Sequence, residues 1–141
     1  MTVTFQDMGL SQPVSDAIRD LGYINPTPIQ QQAIPVLLKG TKDFVGLAQT
    51  GTGKTAAFGL PLLSLIDTSI KQVQGLVICP TRELCMQIAK DFVDYGKYMN
   101  DFHSVAVYGG SSIENQIKQI KRGAQIVVAT PGRLIDLIER R

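Results

Sequence analysis

The sequence predicts an α/β fold with a mainly parallel sheet covered by helices on both sides. Short β-branched runs alternate with longer helical patterns along the chain, the signature of strand–helix–strand units. Two of the runs, residues 75–79 and 125–129, are almost continuously apolar, as strands buried on both faces must be. The 141 residues are enough for one domain with its own hydrophobic core.

In chain order, strands are expected at residues 43–48, 75–79, 104–108 and 125–129. Helical stretches follow each of them. Residues 54–66 follow the first strand, and 82–98 the second, with Leu84, Ile88 and Phe92 on one face. Residues 112–121 follow the third, capped by Ser111 or Ser112, and 134–139 follow the fourth. Ahead of the sheet lies a helical preface, residues 1–38, leaving 39–141 as the sheet-bearing part. Ser11 caps a first helix through Val14, Ile18 and Leu21, closed by Gly22. Pro28 opens a second through Ile29 and Ala33, and Pro35 is expected to interrupt it.

Composition excludes several classes. With 44% hydrophobic and 18% charged residues, the chain has the balance of a soluble globular protein. Apolar stretches are broken by Gly, Pro or polar residues before they reach bilayer length. The first residues lack the basic start and apolar run of a secretion signal, so a cytoplasmic location is expected. A net charge of +2 is too small for nucleic-acid binding by bulk electrostatics, so any such contact must be built from local geometry. Cys79 and Cys85 form no CxxC pair and accompany no histidine cluster, and read as reduced packing residues. His103, which precedes an alternating apolar run, reads as a strand-edge residue.

The strongest chemical signal joins the first strand to its helix. Ala48-Gln49-Thr50-Gly51-Thr52-Gly53-Lys54-Thr55 is a Walker A loop with Ala at its usual first glycine. Gly51 and Gly53 permit main-chain conformations that aim successive N–H groups at phosphate oxygens. The following helix offers the positive end of its dipole. Lys54 is placed to reach the β- and γ-phosphates, and the Thr55 hydroxyl to bind Mg²⁺. A glycine-rich turn that binds nothing would not need Gly-Lys-Thr between a strand and a helix.

The segment Gly22-Tyr23-Ile24-Asn25-Pro26-Thr27-Pro28-Ile29-Gln30 resembles the Q motif of DEAD-box RNA helicases, with the isolated upstream aromatic of that motif present as Phe5. The resemblance implies that Gln30 hydrogen-bonds the adenine edge, Tyr23 stacks on the base and Thr27 ties the segment to the phosphate loop. Three further segments resemble the family's RNA-facing motifs: Pro80-Thr81-Arg82 within motif Ia, Gly109-Gly110 as the GG element, and Thr130-Pro131-Gly132-Arg133 as motif Ib. The resemblance covers essentially the whole chain and implies a three-layer RecA-like P-loop NTPase domain, present in part. Its implied ligands are ATP, Mg²⁺ and one RNA strand held by sugar and phosphate with little sequence preference.

In that family, two RecA-like domains close on ATP and RNA, and closure bends one strand out of its duplex. Asp-Glu-Ala-Asp and Ser-Ala-Thr do not occur here, and neither does the second RecA-like domain with its arginine fingers. The expectation is therefore a segment that binds adenine nucleotide but by itself neither hydrolyses ATP nor unwinds RNA. A sheet lacking those strands is expected to expose apolar surface and unpaired edges, and to be destabilised or to self-associate. Two other readings compete. A different P-loop enzyme, such as a small-molecule kinase, explains the loop but not the surrounding motifs. A non-catalytic ATP- or RNA-binding fragment fits the literal chain.

Overall fold

A computed structural model describes residues 2–140; the outer ends of the two expected segments, Met1 and Arg141, lie outside the described residues. The chain forms two compact units, Met1–Leu65 with Asp94–Met99, and Ile66–Val93 with Asn100–Arg141.

The first unit is helical. A short 3₁₀ turn, Phe5–Met8, precedes α1 (Gln12–Asp20), α2 (Pro28–Lys39) and α3 (Lys54–Leu65). Pro13 lies in the first turn of α1 and Pro28 at the start of α2, where a missing N–H costs nothing. The α2 helix does not stop at Pro35 as expected: it runs on to Lys39. Pro35 forfeits one backbone bond, but Ala33 and Ile34 beside it are buried, and that burial holds the helix together. Pro61 is accommodated inside α3 in the same way, beside the fully buried Leu60 and Leu63. Val14, Ala17 and Ile18 bury the inner stripe of α1, and the Ser11 N–H donates to Ser64 Oγ of α3 at 3.1 Å.

The expected first strand, residues 43–48, is absent: no regular element is assigned there. A strand exists only with a hydrogen-bonded neighbour, and among the described residues this segment pairs with none. Its apolar side chains are consequently uncovered, Val45 at 89% and Leu47 at 95% exposure.

The second unit carries a three-stranded, wholly parallel sheet in the order β1-β3-β2, formed by β1 (Gly75–Ile78), β2 (Ser104–Val107) and β3 (Ile126–Ala129). The register pairs Gly75 and Ser104 with Ile126, and Ile78 and Val107 with Ala129. Central β3 is buried at all four positions, as its apolar run requires. The matching expectation for β1 fails: it is an edge strand, and Leu76 and Ile78 are exposed. Between the strands run α4 (Arg82–Tyr95) and α5 (Ile113–Lys121), and α6 (Pro131–Arg140) follows the last strand. Val105, Val107, Ala124, Val127 and Ala129 form a core cluster covered by Ile120, Leu134 and Leu137. The buried face of α4 is Cys85, Ile88, Phe92 and Tyr95; Ile88 and Phe92 lie on it as expected, while Leu84 is exposed and Cys85 takes its place.

The two cysteines are free and buried. Cys85 Sγ lies 3.2 Å from the Val128 carbonyl, and burial together with the neighbouring Cys79 pushes its thiol up to about 12. It is a packing residue at any ordinary pH. The buried Gln125 fastens the opposite end of the sheet. Its Oε1 accepts from the His103 N–H at 2.8 Å, and its Nε2 donates to the carbonyls of Asp101 and Thr68. No helix among the described residues is long and apolar enough to cross a membrane.

Candidate functional site

The loop 48–55 ends on the first turn of α3. The Gly53 carbonyl accepts the Ala57 N–H at 3.1 Å and so begins that helix. The N–H groups of its first turn have no helical partner, which makes the turn a ready anion-binding site. Thr52 Oγ1 donates to the Gln49 carbonyl at 2.6 Å and closes the loop internally. Gly51 and Gly53 both have φ near +80°, at +80° and +79°. Lys54 is exposed at the head of the helix and Thr55 is half-buried behind it. Ala48, Gln49 and Thr50 lead into the turn and are largely open to solvent.

The preface holds this loop from the side. Thr27 Oγ1 donates to the Thr52 carbonyl at 2.8 Å. Gln30, only 4% exposed, accepts the Thr27 N–H on Oε1 at 2.8 Å and donates from Nε2 to the Gly53 carbonyl at 3.1 Å. A Cβ on Gly53 would stand 2.2 Å from that nitrogen, so only glycine allows the carboxamide so close. Two consecutive loop carbonyls are thereby pinned by side-chain donors. Gln31 Nε2 adds a bond to the Pro26 carbonyl at 3.0 Å.

Tyr23 is 41% exposed, and its ring packs against two others. Phe5 lies 6.3 Å away and tilted, and Tyr95 lies 6.4 Å away and edge-on. Phe5 itself is buried, so it backs Tyr23 and presents no open face.

In the second unit, the parallel strands send their carboxyl ends to one edge of the sheet, and the three remaining predicted segments all start there. Pro80, Thr81 and Arg82 follow β1. Thr81 Oγ1 accepts the Leu84 N–H at 3.2 Å and caps α4. Gly109 and Gly110 follow β2, and Ser112 caps α5 by accepting the Asn115 N–H at 3.3 Å. Thr130 follows β3 and its carbonyl accepts the Leu134 N–H. Pro131 and Gly132 form the first turn of α6, so that helix begins three residues before the expected 134.

These segments touch one another. Gly110 has φ +84°, and a Cβ there would lie 2.5 Å from Arg82 Nη1. Arg133 Nη1 donates to the Ser111 carbonyl at 3.0 Å and to Gln116 Oε1 at 2.9 Å. Gln116 Nε2 in turn donates to the Tyr108 carbonyl at 3.2 Å. Ser111 and Gln116 are thus structural members of the group that the sequence reading did not include. The signal for Gln116 was present: it is a carboxamide on the inward face of an amphipathic helix, between Ile113 and Ile120. Among the described residues, no group of three or more His, Cys, Asp or Glu side chains could hold a metal ion.

A helical preface, a glycine-rich loop at a helix start and a parallel sheet with helices between its strands define an α/β domain. The chain belongs to the DEAD/DEAH box helicase family, whose family model matches residues 27–141. It is 50% identical over 137 residues to the ATP-dependent RNA helicase DeaD of Escherichia coli strain K12, covering 97% of this chain and 22% of that protein. It is 53% identical over 137 residues to the protein of the same name in Mycobacterium tuberculosis, covering 97% of this chain and 24% of that one. The crystal structure of a DEAD box protein from Methanococcus jannaschii superposes with a TM-score of 0.91 at 38% identity, over 97% of this chain and 37% of that one. That of a hypothetical ATP-dependent RNA helicase from Sulfolobus tokodaii gives 0.83 at 43% identity, over 93% and 37%. The RecA-like, mainly parallel α/β expectation is thereby met. The chain spans only about a quarter or less of the curated relatives' length, at 22% and 24%.

Proposed function

We propose that this chain is the nucleotide-binding part of an ATP-dependent RNA helicase, acting in the cytoplasm. It binds an adenine nucleotide through loop 48–55 and the preface, and one RNA strand through the carboxyl edge of the sheet. The observation that carries the reading is the pair of ties from Thr27 and Gln30 to the Thr52 and Gly53 carbonyls. They join the base-reading segment of the motif to its phosphate-reading segment, so adenine and phosphate recognition are built as one unit.

Each group has a role within this reading. Free N–H groups at the start of α3 take phosphate oxygens, with Lys54 supplying the positive charge. Gln30 still has one Nε2 hydrogen and one Oε1 lone pair unused, the complement of adenine N7 and its amino group. Tyr23 stacks on the base, with Phe5 and Tyr95 fixing its ring. Thr55 would hold Mg²⁺ through its hydroxyl, and the ion would supply positive charge to the bound phosphates. Thr81, Arg82, Gly109, Gly110 and the 130–133 turn offer hydroxyls, guanidinium groups, close main-chain approach and two helix N-termini to sugar and phosphate. With no Asp-Glu-Ala-Asp in its sequence, the chain alone holds the nucleotide without turning it over. In the whole protein, a second RecA-like domain completes the site.

The test is a titration of the chain with a fluorescent adenine nucleotide and Mg²⁺, with GTP as competitor. Binding is expected, to be lost in Lys54→Ala, and to lose its preference over GTP in Gln30→Ala. A well-folded chain that binds no nucleotide refutes the reading. RNA-independent nucleotide affinity, with single-stranded RNA never bound, would favour a kinase-like P-loop enzyme instead.

A further inference from the structure

We propose that Gln116 is a positioning residue that aims the Arg133 guanidinium at an RNA phosphate; this deepens, and rests on, the RNA reading above. Gln116 sits on the inner face of α5 at 4% exposure. A carboxamide buried there must be satisfied at both ends, and it is. Nε2 donates to the Tyr108 carbonyl just past β2, and Oε1 accepts from Arg133 at the start of α6. One side chain thus fixes the position of the loop that follows β2 and the orientation of the arginine that follows β3.

The atoms used on Arg133 are informative. Both bonds come from Nη1, one to Gln116 and one to the Ser111 carbonyl. Its two hydrogens are therefore committed to two fixed acceptors, and these set the plane of the guanidinium. An arginine has five N–H donors, so Nε and Nη2 keep three. Nε–H and one Nη2–H lie parallel along the edge of the group and form the fork that grips a phosphate with two bonds. Among the described residues none accepts from that edge. Arg82 lies against Gly110 of the same loop.

The prediction is read by anisotropy of a fluorescein-labelled oligouridylate binding to the full chain across a salt series. Thermal unfolding of each variant is followed alongside. Gln116→Met keeps the length of the side chain and removes both hydrogen bonds. It is expected to weaken RNA binding several-fold and to flatten the dependence of log affinity on log salt by up to about 0.7, the contribution of one phosphate contact on a single strand. Arg133→Ala should do the same, and the double variant should be no weaker than Arg133→Ala. Gln116→Glu keeps the acceptor for Nη1 and should restore most of the salt slope. Arg133→Lys, which keeps the charge but has no fork, should keep most of the salt slope and still bind RNA more weakly than the parent. That variant tests the fork alone, and Gln116→Glu keeps the role of Gln116 testable if Gln116→Met fails to fold.

Additive losses in the double variant, or a folded Gln116→Met with wild-type affinity and slope, would overturn the role of Gln116. Wild-type binding by Arg133→Lys would overturn the fork. If Arg133→Ala itself leaves affinity and slope unchanged, the RNA reading of Arg133 fails first, and this inference with it.

Discussion

Two regions of the molecule present main-chain loops at helix starts, and they are held in different ways. The loops of the second unit rise from a ladder: β1, β3 and β2 are paired residue for residue, and the loops need only be trimmed by Arg133, Gln116 and Arg82. The loop 48–55 rises from a segment with no ladder at all. What fixes it are three side-chain bonds: Thr27 to Thr52, Gln30 to Gly53, and Thr52 back to Gln49. In both regions the carbonyls are tied down and N–H groups are left for a ligand. The lesson is that a glycine-rich loop can draw its order from the helix packed beside it when the segment before it contributes no strand.

That comparison ranks the consequences of mutation. The largest effect is expected of Gly53→Ala. The substitution puts a side chain at φ +79° and 2.2 Å from Gln30 Nε2, so it strains the backbone and ejects the carboxamide together. A loss of roughly 2–4 kcal/mol in urea unfolding is expected from these two causes. Nucleotide binding should fall with it. A Gly53→Ala chain as stable as its parent would mean that the loop does not depend on the preface.

Gln30→Leu separates a structural role from base reading. With no nucleotide present, it strips the Thr27 N–H of its acceptor and the Gly53 carbonyl of one of two donors. About 1–3 kcal/mol of stability should be lost, because the affected groups are partly buried. Were Gln30 only an adenine reader, the unliganded chain would unfold at the same urea concentration as its parent.

Gly110→Ala is the counterpart in the laddered region and should cost less. Its φ of +84° imposes about 1–2 kcal/mol on an L-residue, but the nearest atom is the far end of the Arg82 side chain, which can swing away. RNA affinity should drop more than stability does. An unfolding penalty greater than that of Gly53→Ala would invert the ranking and break the comparison.

The same contrast explains what could be read from residues alone. Strands 75–78, 104–107 and 126–129 were legible because each is β-branched and flanked by a helix pattern. Residues 43–48 are also a short apolar run, with Val45 as their one β-branched residue, but a strand is a property of a pair, and no partner could be seen in the sequence. The exposure of Leu76 and Ile78 on β1 was hidden for the same reason, since strand order sets which run lies at the edge. On α4, Leu84, Ile88 and Phe92 fit a helical stripe as well as Cys85, Ile88 and Phe92 do, and only packing chooses Cys85. Glycine at 51 and 53 marked the tight loop before α3 because no other residue tolerates that φ cheaply. The structural side of Gln30 was also legible in principle. Thr27-x-x-Gln30 at the start of a helix is a capping-box pattern, and in it the Thr27 N–H donates to Gln30 Oε1.

The smallest effect is expected at the surface of the first unit, where the end of α1 meets the segment Asp94–Met99. Tyr98 donates its hydroxyl to Asp20, and Lys97 pairs with the same carboxylate at 3.2 Å. Chiefly the tyrosine hydroxyl, and then the lysine, hold Asp20 below its ordinary 3.8. A carboxyl with a lowered folded value contributes stability above pH 3.8, which is lost as pH falls through that folded value. The carboxylate pushes the Tyr98 hydroxyl above its ordinary 10.0, so its contribution is present below pH 10.0 and is lost as pH rises through the folded value. The two limits enclose one window. Tyr98→Phe should therefore destabilise the chain slightly and by a constant amount between about pH 4 and pH 10, and the gap from the parent should close on either side. Lys97 still pairs with Asp20 in that variant, so the acid limit should move up toward 3.8 without reaching it. A difference between the two chains that is independent of pH down to pH 2 would show that the ring packing, and not the hydrogen bond, links α1 to this segment.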